Sequence, residues 1–331
     1  MKAVITAIAH NVPDNVVDNH WFEDKIDTTD EWIRTRTGIV ERHFATEGGV
    51  TDILVPAVER ALAQRGITAM DIDLIILCTV TPDRIFPSSA AILQRKIGAL
   101  NAWGFDLAGA CSGFLFGLVT GSKMIESGAS KRVLVCGGDK MSSILNMEDR
   151  TTAVLFGDGG GCVILEAGES DEYGVVDSIL RMDGNGEQFL YQKAGGSLHP
   201  PTFATVTNRE HYVYQEGQTV FKSAVKGMAD VSFELMERNK LTADDVAWLV
   251  PHQANLRIID ATASRMGLSK DKVMVNIDRY GNTTGGTIPI CLSELYTQGK
   301  IKKGDNLVLA SFGAGYTWGA VFVRWSMEKK Q

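Results

Sequence analysis

Two stretches far apart in the chain carry the same punctuation, and this echo constrains the fold more than any single motif. ITAMDIDLIIL from Ile67 and LTADDVAWLV from Leu241 each set a threonine helix cap, an aspartate three residues on and then a hydrophobic run of strand character. QRKIG (Gln94 to Gly98) and SRMG (Ser264 to Gly267) each close a helical segment. A strand is expected after each, FDLAGAC in one copy and VMVNIDRYGN in the other. ESGASKRVLVCGGD then parallels TQGKIKKGDNLVLASFGAG, a basic turn leading into an apolar strand and glycines. Four matches in one order predict two copies of a strand-helix unit, residues 1–170 and 171–331. Alternating strands and helices predict a mostly parallel sheet covered by helices in each copy.

Composition narrows the function. With 331 residues, 44% of them hydrophobic and 22% charged, the chain can bury a sizeable core. A net charge of -7 with no basic arm argues against a nucleic-acid binder, so an anionic partner would need a local patch. Cys78, Cys111, Cys136, Cys162 and Cys291 are odd in number, widely spaced and without a C-x-x-C pair. That pattern predicts neither a disulfide framework nor a metal site, and points to a reducing cytoplasm. MKAVITAIAHNVPDN reads as a first strand rather than a signal peptide, and no apolar run is long enough to span a membrane.

Within the first copy, DLAGACSGFLFG (Asp106 to Gly117) puts Cys111 between a strand and a helix, flanked by Ala108, Gly109, Ala110, Ser112 and Gly113. Small neighbours permit a sharp turn and close approach to the sulfur. A helix N-terminus stabilises thiolate over thiol, which predicts a lowered pKa and a nucleophile. Under the internal alignment Gly281-Asn282 falls where Ala110-Cys111 falls, so pseudo-symmetry would bring the two elbows together. VPHQANLRII puts His252 beyond a strand of the second copy, at the carboxyl end where open α/β sheets bind ligands. Cysteine, histidine and asparagine delivered to strand ends form a set suited to nucleophilic acyl transfer with a polarised carbonyl.

These features meet in a resemblance to the β-ketoacyl-acyl-carrier-protein synthase III family of the thiolase superfamily. It runs along the whole chain and rests on DTTDEWIRTRTGIVERH (27–43), ACSGF (110–114), DRTTAVLFGDGGG (149–161), VPHQANLRI (250–258), RYGNTT (279–284) and FGAGYTWG (312–319). The resemblance implies an α/β, thiolase-like, five-layer αβαβα fold built from two duplicated halves, and a homodimer. It implies Cys111, His252 and Asn282 as the catalytic residues, with the backbone N–H groups of Cys111 and Ala314 as the oxyanion hole. The reaction implied is decarboxylative condensation of a short acyl-CoA, acetyl-CoA the expected primer, with malonyl on acyl carrier protein. Both are substrates, and no cofactor or metal is expected.

Further residues carry over from the family. Trp32 resembles the adenine-stacking residue, Arg150 the guanidinium on the base's other face, and Arg36 the contact to the nucleotide phosphates, with Thr28 on the same coenzyme A surface. From the residues alone, Trp32 follows a capping box spanning Thr28 to Glu31. Asn255 resembles a pantetheine contact, and Phe86 the residue that closes the primer pocket across a dimer interface. Lys222, Arg257 and Arg265 read as a docking patch for the acidic carrier protein.

The chain departs from the family where Ala314 replaces the middle of three glycines, Tyr316 stands for phenylalanine, and GNTTGGTIP replaces the common GNTSAAS form; primer preference is what these changes put in question. A condensing enzyme with another primer or acceptor, in lipid or secondary metabolism, is the nearest rival. A nicotinamide dehydrogenase is disfavoured: FGDGGGC has Cys162 at the third glycine position, and GAGYTWG precedes strand-like AVFVRW. A non-catalytic partner subunit would not need Cys111, His252 and Asn282 together. His199 to Glu216 reads as a loop.

Overall fold

A computed structural model describes residues 1–328 of the protein. The last three residues of the expected second copy, 329–331, lie outside the described residues. Among those described, nine strands form two large sheets. The first contains β1 (Ala3–Asn11), β2 (Leu74–Cys78), β3 (Trp103–Leu107), β4 (Arg132–Asp139) and β5 (Gly159–Ala167), in the order β1-β5-β4-β2-β3. The second contains β6 (Gly174–Met182), β7 (Trp248–Pro251), β8 (Asn306–Gly313) and β9 (Thr317–Arg324), in the order β6-β9-β8-β7. Laid side by side the orders match over the first four positions.

The last position of the match is where the second sheet falls short. β2 pairs in parallel with β3, but its counterpart β7 has only an isolated parallel bridge from Leu249 to Val273. The strand expected in VMVNIDRYGN is therefore reduced to one bridge, and the chain turns instead into a short helix, Ile277–Tyr280. Both sheets are mixed rather than mostly parallel. β5 runs antiparallel to both β1 and β4, while β8 and β9 form an antiparallel pair across the turn after Gly313. A connection that short cannot make the crossover a parallel pair requires.

Strand alternation explains the layers. Leu74, Ile76 and Cys78 face a core shared with Phe114, Leu115 and Leu118 of α4 (Gly113–Glu126) and Ile288, Leu292 and Leu295 of α7 (Thr287–Thr297). Val250, Leu309 and Val321 of the second sheet enter this core from the other side. The intervening Ile75 and Leu77 face outward, under α2 (Val50–Arg65) and α3 (Ser89–Ile97). On the far side of the molecule α5 (Gly217–Arg238) and α6 (Leu256–Arg265) cover Leu249, Val308 and Phe322. The succession helix, sheet, paired helices, sheet, helix is the five-layer αβαβα arrangement.

The threonine caps read from the duplication form as expected. Thr68 donates to Asp71, and Thr242 to Asp245, each through both its backbone N–H and its hydroxyl. The cap before Trp32 is displaced by one residue: Thr29 Oγ1, not Thr28, accepts from Trp32 N (3.1 Å), ahead of α1 (Asp30–Thr37). The stretch 199–216 is not wholly loop. It holds a short helix, Phe203–Thr207, capped by Thr202, and a strand, Val213–Gln215, paired with Leu190–Gln192.

The two halves meet backbone to backbone. A Cβ added at Gly137 would lie 2.3 Å from Gly285 O and 3.0 Å from Phe114 Cδ2. Gly137→Ala is therefore expected to destabilise the fold by about 1–3 kcal/mol, the usual range for overpacking a close-packed site. Urea unfolding measures it, and an unchanged midpoint would mean that the halves part without strain.

Candidate active site

Cys111 lies in a 3-10 turn, Ala110–Ser112, which leads directly into α4. The sharpness of the turn is carried by Ala110, whose φ of 47° lies in the left-handed region. Thr284 has the same φ of 47° at the corresponding turn before α7, and Ser112 N→Gly109 O is echoed by Gly286 N→Thr283 O. Ala110 thus matches Thr284, and Cys111 matches Gly285. The expected match of Gly281-Asn282 to Ala110-Cys111 is out of step: Asn282 sits two residues before the second elbow, where the first has Ala108.

The second half holds the Cys111 backbone. Ser311 Oγ donates to Cys111 O (2.8 Å), Ser112 Oγ to Thr317 O (3.0 Å) and Thr317 Oγ1 to Gly109 O (2.9 Å). A Cβ on Gly313 would lie 2.7 Å from Cys111 N, so the loop carrying Ala314 begins in contact with the Cys111 backbone. Ala314 O lies 3.1 Å from the same Thr317 Oγ1, a second acceptor in reach of its one proton, so that loop lies against the same clamp.

His252 directly follows β7, and its N–H donates to Ala310 O (2.7 Å), the residue before Ser311. One strand, β8, therefore fixes both His252 and Cys111. The ring is buried. Its Nδ1 lies 2.6 Å from Thr287 Oγ1, and its Nε2 has no protein partner among the described residues. Asn282 is stitched into the neighbouring segment by Asn282 N→Leu155 O (2.9 Å) and Gly157 N→Asn282 O (3.0 Å). Its side-chain oxygen accepts from Thr284 N (2.9 Å), and the amide nitrogen is the donor end of the side chain.

The resting charge differs from the sequence expectation. Burial, with the Asp139 carboxylate as a second cause, pushes the Cys111 thiol up to about 12 rather than down. A helix terminus does not offset the loss of solvent there. Burial likewise pushes His252 down to about 3, so the imidazole is neutral. Asp139 itself is wholly buried and ties the segment after β2 to the second elbow. Its Oδ1 accepts from Thr79 Oγ1 (2.8 Å), Val80 N (2.8 Å), Thr81 N (3.1 Å) and Thr81 Oγ1 (2.9 Å), while Oδ2 accepts from Thr284 Oγ1 and Gly285 N (3.2 Å).

The residues expected to meet the coenzyme gather at the surface. The Arg36 and Arg150 guanidinium carbons lie 4.5 and 5.2 Å from the Trp32 ring centroid, and Arg150 is held by Asp27 O (2.7 Å) and Oδ2 (3.1 Å). Inserting a base between Trp32 and Arg150 takes two stacking distances, about 7 Å. Arg150 must therefore move outward for such a sandwich. Thr28 is half-buried, with its hydroxyl unpartnered among the described residues. Asn255 caps α6 by accepting from Arg257 N (2.9 Å) and donates to Arg36 O (2.9 Å), so both ends of its amide are engaged.

Lys222 on α5 and Arg257 and Arg265 on α6 are exposed on the same outer layer. Arg257 packs over Phe221 (5.0 Å), whereas Arg265 is engaged by Phe233 (3.9 Å) and Asp230 (3.6 Å). Phe86 is 84% exposed. All five cysteines are free and buried. The glycine runs weighed as nucleotide loops open strands, Gly159 beginning β5 and the turn after Gly313 leading into β9. Among the described residues no helix is long and apolar enough to cross a membrane.

Sequence reasoning missed Asp139, Thr284 and Thr287. The available signal was a lone carboxylate ending the apolar strand RVLVCGGD.

Residues 105–184 match the family model 3-oxoacyl-[acyl-carrier-protein] synthase III, and residues 236–325 match the model of its C-terminal part. The β-ketoacyl-[acyl-carrier-protein] synthase III of Chlorobaculum tepidum is 57% identical over 328 residues, covering 98% of this chain and 100% of the relative. That of Koribacter versatilis is 48% identical, covering 98% of each chain. The solved synthase III of Aquifex aeolicus is 38% identical with a TM-score of 0.90, covering 98% of this chain and 100% of its own. That of Thermus thermophilus is 40% identical with a TM-score of 0.89, covering 98% and 99%. With the duplicated five-layer fold and a cysteine elbow clamped beside a buried histidine, these likenesses establish that the chain belongs to the β-ketoacyl-[acyl-carrier-protein] synthase III family.

Proposed function

We propose that the protein moves a short acyl group, acetyl the expected one, from coenzyme A to Cys111 and condenses it with malonyl on acyl carrier protein. The products are 3-oxoacyl carrier protein, CoA and CO2, and the reaction starts fatty acid chains. The observation that carries this reading is the common frame: Ala310 and Ser311, adjacent on β8, hold the His252 N–H and the Cys111 carbonyl. On this reading residues 1–170 supply the nucleophile and residues 171–331 supply His252 and Asn282.

Loading exchanges one thioester for another. The Cys111 sulfur attacks the acyl carbon, the bond to CoA sulfur breaks, and the thiol proton ends on CoA. The tetrahedral oxyanion would rest on the N–H groups of Cys111 and Ala314. In condensation the malonyl carboxylate leaves as CO2, and the resulting enolate oxygen takes hydrogen bonds from His252 Nε2–H and the Asn282 amide. The carbanion attacks the acyl carbon, and Cys111 leaves and regains a proton. Trp32, Arg36, Arg150 and Thr28 would hold the nucleotide, with Asn255 beside the pantetheine arm.

We assign Phe86 to a homodimer. Two adjacent large apolar side chains, Ile85 and Phe86, are 82% and 84% exposed, and a second copy would bury them with Phe86 at the partner's primer pocket. The setting is cytoplasmic. Incubation with a panel of acyl-CoAs followed by mass spectrometry tests the function and names the primer; no adduct on Cys111 with any of them would refute it.

A thiol pushed up to about 12 stays protonated through the neutral range. Alkylation of Cys111 by iodoacetamide should therefore climb with pH from 7 to 10 without levelling, and Cys111→Ala should take up no acyl group. A plateau near neutrality would reveal a stable thiolate.

His252→Ala and Asn282→Ala should still load from acyl-CoA but condense about 100-fold or more slowly, the usual cost of one lost donor to a developing oxyanion. Single-turnover loading and CO2 release separate the steps, and equal loss in both refutes this division.

Lys222→Glu with Arg257→Glu should raise KM for malonyl carrier protein severalfold at low salt and less at high salt, since exposed charges are individually weak and screened. Acylation by acyl-CoA should hardly change. Parallel losses in both half-reactions would count against a separate docking patch.

A further inference from the structure

The Nδ1 side of His252 meets one side-chain partner, the Thr287 hydroxyl at 2.6 Å, and both residues are 2% exposed. That hydroxyl carries a single proton and has two acceptors in reach, His252 Nδ1 and Thr284 O at 2.5 Å. The two choices exclude each other. With the proton on the Thr284 side, Oγ1 can only accept, so Nδ1 carries the imidazole proton and Nε2 presents a lone pair. With the proton turned to Nδ1, the neutral ring must carry its own proton on Nε2.

Condensation as proposed above requires the second arrangement, because Nε2 must donate to the thioester oxygen. The competing acceptor is fixed in place by the elbow. Thr284 sits in the left-handed region, its hydroxyl bonds Asp139 and its N–H bonds Asn282 Oδ1. The chain that orients the Asn282 amide therefore also offers the carbonyl from which Thr287 must turn away.

We infer that Thr287 is a positioning residue for condensation, whose hydroxyl, by turning from Thr284 O to His252 Nδ1, puts the imidazole proton on Nε2. The change is neutral in protons: Nδ1 gives one to water as Nε2 takes one. No other polar side chain is bonded to His252 among the described residues, so nothing replaces Thr287 in this role. The inference rests on the condensing activity proposed above.

Thr287→Val keeps the shape and removes the hydroxyl, whereas Thr287→Ser keeps the hydroxyl. In the acyl-enzyme, CO2 release from malonyl carrier protein should slow 10- to 100-fold in Thr287→Val, with KM and acyl loading within about twofold of wild type, and Thr287→Ser should restore most of the rate. Nitrogen-15 spectra of the ring, assigned with His252→Gln, should show Nε2–H as the main tautomer in the wild-type acyl-enzyme and a mixture in Thr287→Val. Condensation by Thr287→Val within twofold of wild type, equal losses in the Val and Ser variants, or an unchanged tautomer would overturn the inference. Failure of the wild type to acquire any acyl group would instead refute the proposed activity, and the spectra of the unacylated protein would still decide whether Thr287 sets the tautomer.

Discussion

A single buried carboxylate joins the two halves at the second elbow. Asp139 ends β4 with four donors from its own half on one oxygen and two from the second elbow on the other. Burial pushes its carboxyl above the ordinary range against the pull of these donors. A buried carboxylate with one oxygen unpartnered would be costly, so the donors from Thr284 and Gly285 fix how closely the halves approach. Thr284 then passes that position on, through its N–H to Asn282 and through its carbonyl to Thr287 and His252.

The duplication was legible because it is written in periodicity and caps, which depend on local chemistry. Thr68 with Asp71 and Thr242 with Asp245 need only their own turn to form. The second elbow was misplaced because its match to the first lies in conformation. Ala110 and Thr284 share a φ of 47° but no residue type, while Gly281-Asn282 looked more like the small residues around Cys111. The missing strand near Val273 has a similar cause: VMVNI has strand character, yet only Val273 bridges β7 before the backbone turns toward the site.

Cys111, His252 and Asn282 stand out in sequence as reactive or amide side chains at strand ends. The residues that hold them do not. Asp139, Thr284, Thr287 and Ser311 are ordinary types whose role exists only after distant segments meet, and their bonds span up to 200 positions in the chain. Sequence therefore picks out the groups proposed to react more readily than the scaffold that orients them. Trp32, Arg36 and Arg150, expected to meet the coenzyme, do converge, but Arg150 lies against the ring it was expected to face across a base.

The expectation that failed most informatively concerns charge. A helix N-terminus favours a thiolate by about 1 kcal/mol in exposed settings, up to about 2 when partly buried. Withdrawing a charge from water costs several kcal/mol even after relaxation. For Cys111 burial wins, and Asp139 adds like charge to the same side of the balance. For His252 burial alone opposes the imidazolium. The two groups therefore rest as neutral thiol and neutral imidazole, and in the reaction proposed for them charge arises only while a carbonyl is being attacked or a carboxylate is leaving. Donors already fixed by the Asp139 frame need not reorganise at that moment, which is the condition under which a buried site stabilises a transition state more than water does.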